Sequence, residues 1–366
     1  MKATVESLVQ QWAKKYVDEL NSKPADGSRS QSENLKEIVS PAGRKRTAEK
    51  LMQSLRFTSA QAWSKTESLL ATEVRRHRIN PKFINPWEIA ADCFHIYEKV
   101  LGFYTQQSNS RQLASVIGLF DRSHELYEKA LQIYTEQVAP SQLINVIGDD
   151  LAALQKKYTA NDPRIKGFVS IQLHYTSQLL LEQLSPLEKA ILGAYFKVID
   201  DHFYLPLQRA YEAAAKHDYN SPALSAVQQL LPHSTEIAKK VCQRVNQLYP
   251  HYRSLNGSLT EPAVRTSSIR DVEMFQVYLW VCTLEGSIAS IQQELFPLCV
   301  MLYPVLGVKW ELLRQMLYLL GQEMRSRLTS EEADSFMPYF QTLWDMFSPE
   351  VFGNDIEQLA ASRRRG

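Results

Sequence analysis

Ionisable side chains occur at helical spacing within the otherwise apolar stretch of residues 188–211. The positions that share one helix face, at alternating intervals of four and three, are Glu188, Leu192, Tyr195, Ile199, His202, Pro206 and Arg209. Pro206 lacks the backbone donor that would bond to the His202 carbonyl, and its ring clashes with that carbonyl, so the helix should kink or restart there. Because helical side chains lean toward the N-terminus, Arg209 would reach back toward His202. The pattern predicts a polar pocket.

A structural interpretation of the same residues stays open. Asp200 and Asp201 would then cap the restarted helix, His202 would be a core histidine with its hydrogen bonds satisfied, and Arg209 would pair with a carboxylate. Structural ion pairs perturb titratable groups as functional sites do, so the sequence does not separate the two interpretations.

A second set of polar groups lies in the apolar segment of residues 268–310. Ser268 followed by Asp271 fits a capping box, which predicts a central helix buried on all sides. Carboxylates within that segment need partners, and either Arg270 or the region of Arg209 would supply one. Cys282 and Glu285 lie three residues apart, as two metal ligands would, although the pattern favours a packed thiol beside a solvated carboxylate.

Several classes of chemistry leave no trace in this chain. We find no glycine-rich phosphate loop, nucleophile elbow, HExxH motif or EF-hand loop. No glutamate lies three residues before any of the eight histidines, which disfavours a ferritin-like di-iron site. A catalytic zinc has three protein ligands, and the sequence offers His202 as a plausible buried ligand, with His95 near Cys93 as a weaker one.

Charge and cysteine content exclude further classes. The 366 residues carry 41 basic and 40 acidic side chains, so no global charge steers the chain to nucleic acid. Four scattered cysteines without a CxxC pair favour a reducing compartment and disfavour a disulfide scaffold. The basic clusters at 44–46, 75–78 and 363–365 fit solvated faces, or surfaces for an acidic partner or an anionic membrane.

No segment has the pattern of a leader or a spanning helix. The N-terminus has polar residues and Glu6 where a secretion signal would be apolar. The uncharged run 295–308 is broken by two prolines and is shorter than the roughly 20 apolar residues that a spanning helix requires. We therefore expect a soluble or peripheral protein.

Helical periodicity dominates the chain and predicts an all-α, multi-helix globular bundle. The predicted helices cover about 5–20, 43–54, 59–75, 86–106, 110–137, 140–157, 165–183, 186–215, 221–230, 233–247, 269–303, 308–328, 330–346 and 353–363. The composition of 21–33 is that of a mobile linker, so we predict an N-terminal helix with linker at 1–34 and one all-α domain at 35–366.

One internal similarity bears on the N-terminal half. Residues 97–107 match residues 127–137 at seven of eleven positions, with an offset of 30 residues. Such an offset is close to that of tetratricopeptide arrays and would give a helical-hairpin stack. No third copy is present, so coincidence between two amphipathic helices is the alternative.

Three segments of the chain resemble the cyanobacterial CO2 hydration proteins, the Cup or Chp subunits of specialised photosynthetic NDH-1 complexes. They are Phe196–Leu207 (FKVIDDHFYLPL), Ser267–Gln276 (SSIRDVEMFQ) and Gln292–Tyr303 (QQELFPLCVMLY). The resemblance runs from about Trp87 to Phe352.

Membership of that family implies a peripheral all-α subunit on the cytoplasmic face of the thylakoid membrane. It would dock on the membrane arm of the NDH-1 complex and convert CO2 to bicarbonate in the carbon-concentrating mechanism. This carbonic-anhydrase-like activity would exist only when the subunit is bound in the complex. The implied site has zinc near the interface with a membrane subunit. His202 would be the metal ligand, Arg209 would hold bicarbonate or lower the pKa of a bound water, and Asp201 or Asp200 would orient the imidazole. The chain lacks the ligand cluster of ordinary carbonic anhydrases, which requires a contribution from the partner.

Two hypotheses of other classes compete with this one. The incomplete ligand set and the 30-residue self-similarity fit a non-enzymatic helical adaptor that binds other proteins. The aromatic content of residues 274–310 fits a buried pocket for a pigment or lipid.

Overall fold

A computed structural model describes residues 37–38, 40–106 and 143–352, and these residues divide into two compact units at the bond between Tyr204 and Leu205. Helices make up nearly all of the regular structure in the described ranges. The predicted all-α, multi-helix globular fold is confirmed. The predicted segment 1–34, and the second copy of the internal similarity at 127–137, lie outside the described residues.

The N-terminal unit, described over residues 37–38, 40–106 and 143–204, contains the following helices in chain order. They are α1 (Pro41–Arg76), a 3-10 turn (Pro81–Phe83), α2 (Pro86–Gln106), α3 (Ile144–Thr159), α4 (Ile165–Glu182) and α5 (Pro186–Tyr204). Helix α1 packs against α2 and α4, and α5 packs against α3 and α4. The core includes Tyr97, whose hydroxyl donates to the Leu173 carbonyl at 2.8 Å and whose ring meets Phe196 edge-on at 5.2 Å.

The C-terminal unit, described over residues 205–352, surrounds one central helix. Its elements are α6 (Leu207–Ala214), α7 (Pro222–Leu230), a 3-10 turn (Leu231–His233), α8 (Ser234–Leu248), the hairpin β1 (Arg253–Ser254) and β2 (Gly257–Ser258), α9 (Pro262–Glu285), a π-turn (Ile291–Leu295), α10 (Phe296–Val305), α11 (Trp310–Arg325) and α12 (Ser330–Met346). The hairpin is antiparallel, with Arg253 opposite Ser258. Helix α9 contacts α6, α7, α8 and α12, so it forms the axis of this unit.

Burial of α9 follows from its composition. Every residue from Val272 to Cys282 is buried, and the Trp280 side chain is 1% exposed. Its buried polar side chains meet donors or acceptors on α8: the Thr235 hydroxyl donates to Glu273 at 2.6 Å, and the Gln276 amide donates to the Ser234 carbonyl at 3.0 Å. A predominantly apolar helix can be buried all round, as the sequence predicts, even though the Gln276 side-chain oxygen has no hydrogen-bond partner among the described residues.

The structure corrects three predicted helix boundaries. Residues 43–54 and 59–75 belong to one helix, α1, because no proline or glycine separates them. The predicted helix 269–303 ends at Glu285, where Gly286 takes the left-handed conformation with φ of 63°. The capping box at Ser268 is wrong, because α9 begins at Pro262 and Ser268 therefore lies inside the helix.

None of the described helices combines the length and the apolar character that a membrane crossing requires.

The C-terminal end of α1 has an unusual residue at its cap. The Arg78 N–H donates to Arg75 at 3.2 Å and the Ile79 N–H donates to Val74 at 2.9 Å, which is the Schellman pattern. Arg78 occupies its left-handed position with φ of 52°, and it is the single non-glycine residue with positive φ in the described ranges. A side chain is disfavoured there, since glycine adopts this conformation without steric cost.

We therefore predict that Arg78→Gly stabilises the protein. The free energy of unfolding should rise by about 0.5 to 1 kcal/mol, because relief of the left-handed conformation outweighs the added entropy of the unfolded chain. Chemical denaturation measures this. Arg78→Ala is the matched control, since it removes the same charge but keeps a Cβ, and it should leave stability nearly unchanged. Equal stabilities of the glycine and alanine variants would contradict the interpretation.

Candidate functional site

Helix α5 carries the polar face that the sequence predicts. Tyr195, Ile199 and His202 are buried along it, with His202 8% exposed. At its start, Glu188 accepts hydrogen bonds from the Ser185 backbone and hydroxyl, at 3.0 and 2.7 Å, and from the Thr47 hydroxyl at 2.6 Å. Glu188 therefore ties the first turn of α5 to α1.

The helix stops and restarts around Pro206, as the sequence predicts. Helix α5 ends at Tyr204, and α6 begins at Leu207 with Pro206 in the position before it. The Leu207 N–H turns back to the Leu205 carbonyl at 2.8 Å. Asp200 and Asp201 thus lie inside α5, so the alternative that they cap the restarted helix is wrong.

The His202 imidazole is held in a neutral form. Its Nδ1 lies 3.1 Å from the Val198 carbonyl one turn earlier, an acceptor that requires a proton on Nδ1. Burial disfavours the charged ring and lowers its pKa from 6.5 to about 3; the Val198 bond opposes this shift and the nearby Lys197 adds to it. A neutral imidazole protonated on Nδ1 presents Nε2 as an acceptor.

The two aspartates next to His202 face different neighbours. Asp201, 2% exposed, accepts from the Lys197 ammonium at 2.9 and 3.0 Å. The Asp200 carboxylate lies 3.9 Å from Nδ1 of His174 on α4. Successive helical residues point about 100° apart, which separates the two carboxylates. Orientation of the His202 ring by either of them stays a prediction.

Arg209 lies in the C-terminal unit, on α6, between two carboxylates. Its Nε and Nη2 donate to both oxygens of Glu285 at 2.6 Å, and its Nη1 donates to Glu294 at 2.6 Å. The Tyr278 hydroxyl also donates to Glu294, at 3.4 Å. The hydrogen bonds that the guanidinium donates to Glu285 raise its pKa, against burial and with further help from the charge on Glu294. Such a bidentate pair is the strong form of a charge-assisted contact.

Local backbone geometry explains why these carboxylates converge. Glu285 is the last residue of α9, where the helix dipole adds negative charge and favours a cation such as Arg209. Glu294 lies in the π-turn, in which the Phe296 N–H reaches the Ile291 carbonyl. Pro297 follows and cannot donate to the Gln293 carbonyl, which accounts for the wide turn at this point. The sequence named the region of Arg209 as a possible partner but did not predict the π-turn.

Cys282 and Glu285, considered above as a pair of metal ligands, have separate partners. The Cys282 thiol lies 3.1 Å from the Ser290 hydroxyl, and burial raises its pKa. Glu285 is committed to Arg209. In the part of the chain that the structure describes, no three His, Cys, Asp or Glu side chains gather where a metal ion would bind.

The predicted pocket draws on both units. His202 belongs to the N-terminal unit and has Val198 as a partner there, whereas Arg209 belongs to the C-terminal unit and is held by Glu285 and Glu294. The meeting of imidazole and guanidinium therefore stays a prediction, while the pairing of Arg209 with carboxylates agrees with the structural interpretation.

A comparison with known families bears on the C-terminal unit. A family model for phycobilisome proteins matches residues 204–346. The match begins one residue before Leu205, where the unit starts, and ends at Met346, the last residue of α12. It covers less than half of the chain. No curated protein and no solved structure matches this chain.

The buried neutral state of His202 predicts a pH dependence of stability. In the unfolded chain the ring titrates near 6.5, so below that pH the unfolded state binds a proton that the folded state does not accept until about pH 3. The His202 contribution should thus fall by about 2 kcal/mol between pH 7 and pH 5. Urea denaturation of the wild type and of His202→Gln measures it. Parallel pH profiles of the two proteins would contradict the assignment.

Proposed function

We propose that this chain is a helical binding protein of a photosynthetic light-harvesting system, and that residues 204–352 form a module of the phycobilisome-protein type. The observation that carries the proposal is that the family match begins at the boundary of one compact unit and, apart from its first residue, lies within that unit. A match confined to a fragment of a fold would have little meaning, but this one starts and ends at structural boundaries. The proposal thus takes protein binding from the adaptor hypothesis and the photosynthetic setting from the family match.

Two charged groups of this unit, Glu323 and Arg209, are paired within the fold. Glu323, 5% exposed, accepts from Lys240 at 2.8 Å and from Arg327 at 2.7 Å, and Arg209 is neutralised by its two carboxylates. Each of these charged groups has an oppositely charged partner within the fold, so no external ligand is needed to explain its presence. The interior polar groups therefore have a structural explanation, and a function is best sought on the surface.

The surface of the unit carries an aromatic pair suited to a protein contact. Tyr318 on α11 is half exposed and its ring lies 6.3 Å from that of Trp344 on α12. The Gln322 amide donates to the Tyr318 hydroxyl at 2.8 Å and so orients the ring. Tyrosine and tryptophan are enriched among the residues that dominate binding energy, because they offer large contact areas at low entropic cost.

Density-gradient sedimentation of the full chain with isolated phycobilisomes tests the proposal. The wild type should migrate with the assembly, and Tyr318→Ala should weaken binding by about tenfold or more, since truncation of an interface anchor costs over 1 kcal/mol. Tyr219→Ala is the matched control, because Tyr219 is an exposed tyrosine of the same unit. Failure of the folded wild type to migrate with phycobilisomes would overturn the proposal.

The pigment hypothesis is tested on the same sample. The aromatic side chains that motivate it include Trp310, which stacks on Phe352 at 4.3 Å, and Phe296, which lies 5.1 Å from Phe347. These rings pack against one another. Visible absorbance of the purified protein would establish a bound pigment, and its absence would leave protein binding as the function of the unit.

A second candidate is the CO2 hydration role implied by the resemblance, as a peripheral NDH-1 subunit at the thylakoid membrane. The neutral His202 imidazole favours it, since a neutral ring is the form that binds zinc. The described residues do not complete a zinc site, so further ligands would come from the membrane partner. Arg209 would serve bicarbonate only after release from Glu285 and Glu294.

Zinc content and isotope exchange between CO2 and water, measured on the intact complex, test this candidate. His202→Ala should lose the metal and the exchange activity together, since the imidazole is the proposed ligand. His174→Ala is a control from the same unit, with a half-exposed ring. Unchanged zinc and full exchange in the His202 variant would remove the site.

A further inference from the structure

The turn between α1 and α2 concentrates positive charge. Residues 74–87 contain Arg75, Arg76, Arg78 and Lys82 and no aspartate or glutamate. All four cations are exposed. We call residues 74–87 the basic corner of the N-terminal unit.

Most of this charge has no counter-charge among the described residues. Arg76 lies 3.7 Å from the buried carboxylate of Glu73, whose other oxygen contacts His77 at 3.0 Å. For Arg75, Arg78 and Lys82, the described part of the chain supplies no carboxylate within 4.0 Å. The corner therefore presents a net positive surface, in contrast to the chain as a whole, whose formal charge is +1.

Two aromatic side chains protrude from the same corner. Trp87 is 86% exposed, the largest exposed fraction among the apolar side chains described, and Phe83 is 37% exposed. Asn85 fixes the start of α2, since its side-chain oxygen accepts from the Trp87 N–H at 3.2 Å and from the Glu88 N–H at 3.3 Å. Trp87 is thus held on an ordered helix start and left in solvent.

The backbone of the corner is preformed. Ile79 is buried, and its N–H closes the Schellman motif on Val74. Arg164, itself paired with Asp162, donates from Nη1 to the His77 carbonyl at 2.8 Å. A binding surface of this kind loses little conformational entropy when it meets a partner.

Arg78 provides an independent indication of function. It occupies the left-handed position in which glycine is preferred, and its side chain makes no ion pair with a described carboxylate that would compensate for the conformation. Backbone strain of this type persists mostly at functional positions. The Arg78 guanidinium is therefore a candidate for a contact with a partner outside the fold.

We propose that the basic corner binds the surface of an anionic lipid bilayer, with Trp87 and Phe83 entering the headgroup region. Clustered Lys and Arg are attracted to anionic leaflets, and tryptophan prefers the interface between headgroups and acyl chains. Nucleic acid is the less favoured partner, because its binding domains commonly have an extended basic face, whereas the four cations here are confined to residues 75–82 of a nearly neutral chain. The inference goes beyond the proposed function, since it concerns the N-terminal unit.

Sedimentation of the full-length protein with phospholipid vesicles tests the proposal. It should bind vesicles of mixed phosphatidylcholine and phosphatidylglycerol at low salt, detach at high salt, and ignore phosphatidylcholine alone. Replacing Arg75, Arg78 and Lys82 together by glutamine should lower the partition coefficient about 100-fold, at roughly fivefold per cation. The matched control replaces Lys156, Lys189 and Lys216, three exposed lysines elsewhere, and should have a much smaller effect.

Single variants separate binding from folding. Trp87→Ser should weaken vesicle binding more than Phe57→Ser, which removes another exposed aromatic of the same unit. Arg78→Gly should weaken binding while raising the midpoint of thermal unfolding, a combination that a damaged fold cannot produce. The proposal is overturned if anionic vesicles fail to bind the wild type, if both triple variants lose binding equally, or if single-stranded RNA competes the protein off the vesicles.

Discussion

One proline controls the organisation of the described chain. Pro206 cannot donate to the His202 carbonyl, so α5 stops at Tyr204 and a new helix begins at Leu207. The boundary between the two compact units lies at this interruption, and the family match to phycobilisome proteins starts there. His202 and Arg209, which an unbroken helix would have carried on one face, belong to different units as a result. Each then takes part in the internal chemistry of its own unit.

Within the C-terminal unit, the partners of the carboxylates follow from the ends of the helices. The carboxyl end of α9 concentrates negative charge at Glu285, and the π-turn before Pro297 adds Glu294 nearby. Arg209 neutralises both. The loss of a cation between two carboxylates would leave like charges close together, so this arrangement is better explained by folding than by catalysis. It also makes the surface, rather than the interior, the place to look for binding.

The sequence predicted what depends on local pattern. Helical periodicity gave the fold class, and α12 was predicted at its observed bounds. The structure shows a capping box of Thr329 and Glu332 at its start. The restart at Pro206 was likewise predicted from one residue type. Helix α9 was misplaced because its start at Pro262 and its end at Gly286 compete with other plausible caps.

The candidate site was less predictable, for a physical reason. Arg209 pairs with Glu285 and Glu294, which lie 76 and 85 residues further along the chain. Periodicity within one helix contains no information on contacts between such distant residues. The ion pair between Lys197 and Asp201, four residues apart on α5, could have been predicted from their spacing. Asp201 was interpreted from the sequence as a partner of His202 or as a helix cap, and Lys197 was not considered.

The four cysteines carry a consequence for the study of the two units. All are free, and burial raises their pKa values, that of Cys242 to about 12. A protonated thiol reacts slowly with alkylating reagents, and modification of the buried Cys93, Cys282 and Cys299 requires opening of the surrounding structure. Cys93 lies in the N-terminal unit, and the other three lie in the C-terminal unit. The rates at which the chain's buried native cysteines are alkylated would therefore report the opening of each unit separately, without any engineered label.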